Sequence, residues 1–132
     1  MTVIPVQTHR RQEIIDLTPS IHKALAQLKA ASGILLVYSP HTTAGITVNE
    51  NADPSVKADI TRHLNKLVPE DASFTHSEGN ADAHIKGTLV NFSQSFIVED
   101  GKVQLGTWQG IFFMEFDGPR RREVWVTFTP GQ

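Results

Sequence analysis

Residues 95–129, SFIVEDGKVQLGTWQGIFFMEFDGPRRREVWVTFT, decide the fold class. Ser95–Val98 and Lys102–Leu105 are short apolar-rich runs on either side of Glu99-Asp100-Gly101, a turn in which glycine permits positive φ. Trp108–Phe116 and Glu123–Thr129 form a second pair around Asp117-Gly118-Pro119. Strands that follow one another through such short turns pair antiparallel, because a parallel pair needs a crossover of about a dozen residues or more.

Outward from this stretch, Val3–Thr8 and Gln12–Leu17 read as two further strands, and Ile34–Tyr38 as a continuous apolar run suited to a strand buried on both faces. Ile46–Val48 adds another. Thr18 followed by Pro19 predicts a helix cap and first turn, Ile21, Leu25 and Leu28 share one helical face, and Gly33 supplies the stop. Asp53-Pro54 repeats the start signal, with Val56, Ile60, Leu64 and Leu67 on one face of a second helix that ends before Pro69. After a polar loop from Glu70 to Asp82, Ile85 and Leu89 mark a shorter third helix capped by Asp82. About eight strands and three helices, with the strands clustered, predict an α+β fold on antiparallel sheet rather than a doubly wound parallel one. Ile111, Phe112, Phe113 and Met114 are consecutively apolar, so both faces of that strand must be covered, either by helices or by another subunit.

A chain of 132 residues without a repeat or linker predicts a single domain, residues 1–132, able to fold without a structural metal. No apolar run approaches the ~20 residues that cross a bilayer, and no export signal opens the sequence, so the cytoplasm is the expected location. A net charge of −2 lacks the field on which sequence-independent nucleic-acid binding relies. The absence of cysteine leaves His and carboxylates as the available metal ligands.

Six histidines are present. His9 and His22 sit among polar surface residues, and His63 lies at the edge of the second helix's apolar face. His41, His76 and His84 stand apart, in the polar, glycine-containing settings PHTTAG, THSEGN and DAHIKG. Three imidazoles match the ligand set of an open catalytic zinc site, although their spacing fits no local metal motif. Glu50, Asn51, Asp53, Glu78, Asn80 and Asp82 supply acid and amide groups, with helix capping a sufficient reason for Asp53 and Asp82. Lys86, Arg120 and Arg122 offer positive charge for a phosphate or pyrophosphate.

The strings HTTAGITVNENADPSV, HSEGNADAHIKGTLV, LGTWQGI and EFDGPRRR, in that order from about Ser39 to Val126, resemble the YjbQ-like family, whose members are named secondary thiamine-phosphate synthases. The resemblance implies a β-sandwich with two to three helices packed on it, assembled as a homotrimer. It implies that His41, His76 and His84 hold a divalent metal, zinc being expected, with magnesium accompanying a diphosphate substrate. It gives Glu50, Asp53 and Glu78 catalytic roles, Glu78 standing where many members carry Asp. Substrate contacts fall to Asn51, Asn80, Lys86, Thr107, Trp108, Gln109, Arg120 and Arg122. The implied reaction joins hydroxymethylpyrimidine diphosphate to a thiazole phosphate and releases pyrophosphate, as a main or a secondary activity. Two other readings fit the residues: a metal-dependent hydrolase of a small phosphorylated metabolite, and a non-catalytic metal-binding trimer.

Overall fold

The structure, a computed structural model, describes residues 1–70 and 73–132. Along the chain run β1 (Thr2–Gln7), β2 (Glu13–Asp16), α1 (Thr18–Gln27), β3 (Gly33–Tyr38) and β4 (Ala44–Glu50). They are followed by α2 (Pro54–Leu67), α3 (Ala81–Val90), β5 (Ser93–Glu99), β6 (Lys102–Val103), β7 (Gln109–Glu115) and β8 (Arg121–Pro130). The strands form two antiparallel sheets, one in the order β1-β8-β3-β5-β6 and one in the order β2-β7-β4. The fold is α+β.

The alternation of side chains along each strand builds the core between the sheets. Leu35 and Val37 of β3, Phe96 and Val98 of β5, and Val124 and Val126 of β8 face Ile46 of β4 and Ile111 and Phe113 of β7, with Leu17, Ile21 and Leu25 closing one side. The other face of the smaller sheet carries Met114 and, just beyond it, Phe116, packed against Ala83 of α3 and Ile60 and Leu64 of α2. Ile111 to Met114 are thus all at most 2% exposed within one chain: Ile111 and Phe113 face the core between the sheets, while Phe112, under Lys57 of α2, and Met114 lie on the face that helices rather than a second subunit cover.

Four local expectations are corrected. Thr18 is the first residue of α1 rather than its cap, and its hydroxyl accepts the Ile111 N–H at 2.9 Å. Gly33 does not stop α1, which ends at Gln27; it opens β3, where a Cβ would meet the Thr129 carbonyl at 2.1 Å. The Ile34–Tyr38 run is buried on one face only: Ile34, Leu36 and Tyr38 are 49, 37 and 39% exposed, because the outer face of the larger sheet is uncovered among the described residues. Asp53 does cap α2, accepting the Ser55 N–H at 2.9 Å, but Asp82 does not cap α3, whose cap is Asn80.

Asp82 is fully buried and its carboxylate lies 3.0 Å from Arg11 Nη2 and 3.1 Å from Lys86 Nζ. Burial opposes its ionisation, but the hydrogen bonds and charges of Arg11 and Lys86 outweigh that cost and hold its carboxyl below the usual range. A depressed carboxyl contributes stability in full above the unfolded value of about 3.9, and that stability is lost as pH falls through the folded value. Asp82→Asn should therefore lower Tm at neutral pH and flatten the acid limb of a Tm-against-pH curve below about pH 4. An acid limb as steep as that of the wild type would contradict this reading.

Candidate functional site

Where β3 ends, Pro40 cannot continue the ladder and the His41 ring takes the next backbone group of β8. The Glu123 N–H points at His41 Nε2 from 2.9 Å, while the Glu123 carbonyl is 3.2 Å away. The shorter contact makes Nε2 the acceptor and puts the proton of the neutral ring on Nδ1. Burial, and then the charge of Arg122, hold the His41 pKa below its ordinary value, so the ring is neutral at neutral pH.

Arg122 is buried behind His41. Its Nε donates to Glu115 Oε2 at 2.7 Å, and its Nη2 to Glu115 Oε1 at 2.5 Å and Thr43 Oγ1 at 2.9 Å. Glu115 also accepts the Thr8 hydroxyl at 2.9 Å and the Asp117 N–H at 3.0 Å. This network joins β1, β7 and β8 at one end of the sandwich and fixes the turn that carries Asp117 and Arg120. Arg120 is exposed and donates from Nε to the Asp117 carbonyl at 2.8 Å and from Nη2 to Asp117 Oδ2 at 3.0 Å.

His41, Asn80, His84, Asp117, Arg120 and Arg122 share one polar cavity of about 330 Å³, with Glu78 at its edge. Asn80 Nδ2 donates to Asp117 Oδ2 at 2.8 Å, whereas Asn80 Oδ1 is buried without a hydrogen-bond partner. Two guanidinium charges and three carboxylates, those of Glu78, Asp117 and Glu115, occupy or back this cavity.

The expected site residues therefore divide. His41, Glu78, Asn80, His84, Arg120 and Arg122 come together, and His76 meets His84 edge to face with ring centroids 5.2 Å apart. Among the described residues, no group of three or more His, Asp or Glu side chains is placed to hold a metal ion. Lys86, expected at a phosphate, is 1% exposed and spends its ammonium on Asp82 and on Asn65 Oδ1 at 2.7 Å.

Glu50, Asn51, Asp53, Thr107, Trp108 and Gln109 lie at the opposite end of β4, which at its length carries the chain about 20 Å from the cavity. There they build turns. Asn51 bridges Asp16 and Lys57 with bonds of 3.1 Å each, its N–H donates to the Trp108 carbonyl at 2.7 Å, and Gln109 Oε1 accepts the Gly106 N–H at 2.8 Å. Thr43, Glu115 and Asp117 complete the site without having been expected there. Glu115 had a signal, being the single charge inside the apolar run from Ile111 to Phe116.

The sequence profile described as UPF0047 protein YjbQ-like matches residues 2–131. The chain belongs to this family. A UPF0047 protein of Methanocaldococcus jannaschii is 60% identical over 121 residues, which cover 92% of this chain and 88% of that protein. YugU of Bacillus subtilis is 47% identical over 127 residues, covering 96% of each. A YjbQ/UPF0047-family crystal structure from Clostridium acetobutylicum aligns with a TM-score of 0.95 at 46% identity, covering 98% of this chain and all of that one. The YjbQ-like chain also aligns with a structure from Aeropyrum pernix at a TM-score of 0.93 and 36% identity, with 98% of each covered. Among the described residues, no helix is long and apolar enough to cross a membrane.

Proposed function

We propose that this YjbQ-like chain is a transferase that joins hydroxymethylpyrimidine diphosphate to a thiazole phosphate, and that the cavity walled by His41, Asn80, His84 and Arg120 binds the phosphorylated substrate. The observation that carries this reading is the convergence of Arg120, neutral His41 and His84 on one polar cavity. Arg120 is exposed and its pair with Asp117 is screened, so a phosphate can recruit it at little cost. Arg122 is held by Glu115 and serves as a fixed wall.

In the reaction the bond between the pyrimidine methylene carbon and the diphosphate oxygen breaks, and its electron pair leaves on pyrophosphate. The thiazole nitrogen lone pair forms the new C–N bond, so no oxidant and no net proton is needed. His84 and Arg120 stabilise the charge that develops on the leaving group, a role in which preorganised donors are effective. The carboxylates of Glu78 and Asp117 offset the two guanidinium groups of the lining, so the cavity offers a diphosphate no excess of positive charge, and a divalent cation enters as the substrate's own counter-ion. The same reading takes the chain as a homotrimer, with the uncovered outer face of the larger sheet as its interface. Leu36, Tyr38, Trp125 and Ile97 give that face an apolar centre, and apolar patches of this kind are usually buried by association. Sedimentation should return three times the chain mass, and Leu36→Lys should shift it towards monomer; a wild-type monomer at micromolar concentration would contradict the assembly.

The reaction is tested by incubating the protein with both precursors and magnesium and measuring products by mass spectrometry. Thiamine phosphate and pyrophosphate in equal amounts are expected; ester hydrolysis without coupling would replace the transferase with a hydrolase. After dialysis against a chelator the protein should keep its Tm and recover turnover with magnesium alone. A loss of fold, or a requirement for zinc, would instead place a resident ion on His41, His76 and His84.

A further inference from the structure

His84 stands between two cavities. Beyond the polar one lies a second, of about 360 Å³, walled by Phe74, Thr75, His76, Ala81 and Ile85 as well as His84 itself. Ala81, His84 and Ile85 fall on one stripe of α3 because residues three and four apart share a helix face. The rotation of α3 that turns this stripe outward is set from the other side, where Asp82 and Lys86 are buried against Arg11 and Asn65. The segment carrying Phe74 and His76 returns across the stripe, and the His76 ring meets His84 edge to face at 5.2 Å. Ile85 is 38% exposed although apolar, so at this point α3 faces open space and not the core.

The two cavities differ in chemistry. No Asp, Glu, Lys or Arg is among the described residues that line the second one, whereas the first holds Glu78, Asp117, Arg120 and Arg122. Three rings, those of Phe74, His76 and His84, border the second cavity, and its volume suits a single small ring system. Aromatic walls favour an aromatic occupant through offset and edge-to-face contacts beyond simple burial. A hydrolase needs one substrate subsite beside its reacting phosphate, while a group transfer needs two neighbouring ones, and His84 touches both cavities.

We propose that the second cavity is a binding site for a flat, uncharged heteroaromatic ring, seated against Phe74 and the His76–His84 pair and occupied together with the phosphate site. The inference rests on the proposed function in taking the polar cavity as the phosphate site.

The test is an NMR titration of the whole protein with 4-methylthiazole, with magnesium pyrophosphate and with both. The thiazole should shift His76 and His84 but not His41, and its Kd should stay within about twofold when pyrophosphate is saturating. Phe74→Ala should weaken the thiazole about fivefold to tenfold, the loss of one ring contact, and leave pyrophosphate binding unchanged. Ile85→Gln, on the helix surface, should also weaken the thiazole and guards against misfolding of the Phe74 variant. Competition between the two probes, thiazole shifts away from His76 and His84, or an affinity indifferent to both substitutions would overturn the inference. Thiazole binding at His76 and His84 without any pyrophosphate binding would keep the ring site and defeat the proposed phosphate site.

Discussion

Glu115→Ala should lower the free energy of unfolding by about 3–5 kcal/mol, measured by urea denaturation, because it leaves the Arg122 guanidinium buried without a counter-charge. The loss reaches further than one ion pair. Thr8 and the Asp117 N–H also donate to this carboxylate, so the turn that carries Asp117 and Arg120 loses its anchor. The double variant Glu115→Leu with Arg122→Met removes both charges and fills similar volume, and should recover most of the loss, since buried ion pairs often exchange for apolar pairs at little net cost. A single variant within about 1 kcal/mol of wild type would show that this end of the sandwich does not depend on the network.

His84→Ala should lower kcat by about a hundredfold or more with the fold intact, since removing one preorganised donor from a developing anion costs that much. Arg120→Ala should act differently, raising KM for the diphosphate about tenfold with kcat nearly unchanged, if its contact is equal in ground and transition states. The contrast separates the two roles, and His22→Ala, an exposed position on α1, is the control expected to change neither. Equal kinetics for the His84 variant and the wild type would remove His84 from the site.

The β-rich last third was legible because its turns are written in the chain: Asp100-Gly101 closes the hairpin between β5 and β6, and Asp117-Gly118-Pro119 reverses the chain between β7 and β8. The expected second pair does not form: β8 pairs with β1 and β3 in the larger sheet and β7 with β2 and β4 in the smaller. A turn motif tells that the chain reverses, not which sheet it rejoins. The apolar run Ile34–Tyr38 misled because an outer sheet face open within one chain carries the same residues as a buried one.

At the site, His41, Asn80, His84 and Arg120 were legible as small polar motifs, but their spacing did not show that they converge; the family resemblance alone implied it. Lys86 shows the limit most clearly. Its spacing of four residues from Asp82 announces an ion pair, but only the fold shows that the pair is buried and so unavailable to a ligand. The Glu50, Asn51 and Asp53 motif follows His41 closely in sequence, yet an extended strand moves it to the other end of the sandwich.

The central claim is that the cavity between His41 and His84 holds the phosphorylated end of the substrate. The six imidazoles report on it directly by NMR as magnesium pyrophosphate is added to the wild-type protein. The structure predicts shifts at His41 and His84 and none at His9, His22 or His63. Shifts confined to those three, or no shift at His41 and His84 at saturation, would contradict it.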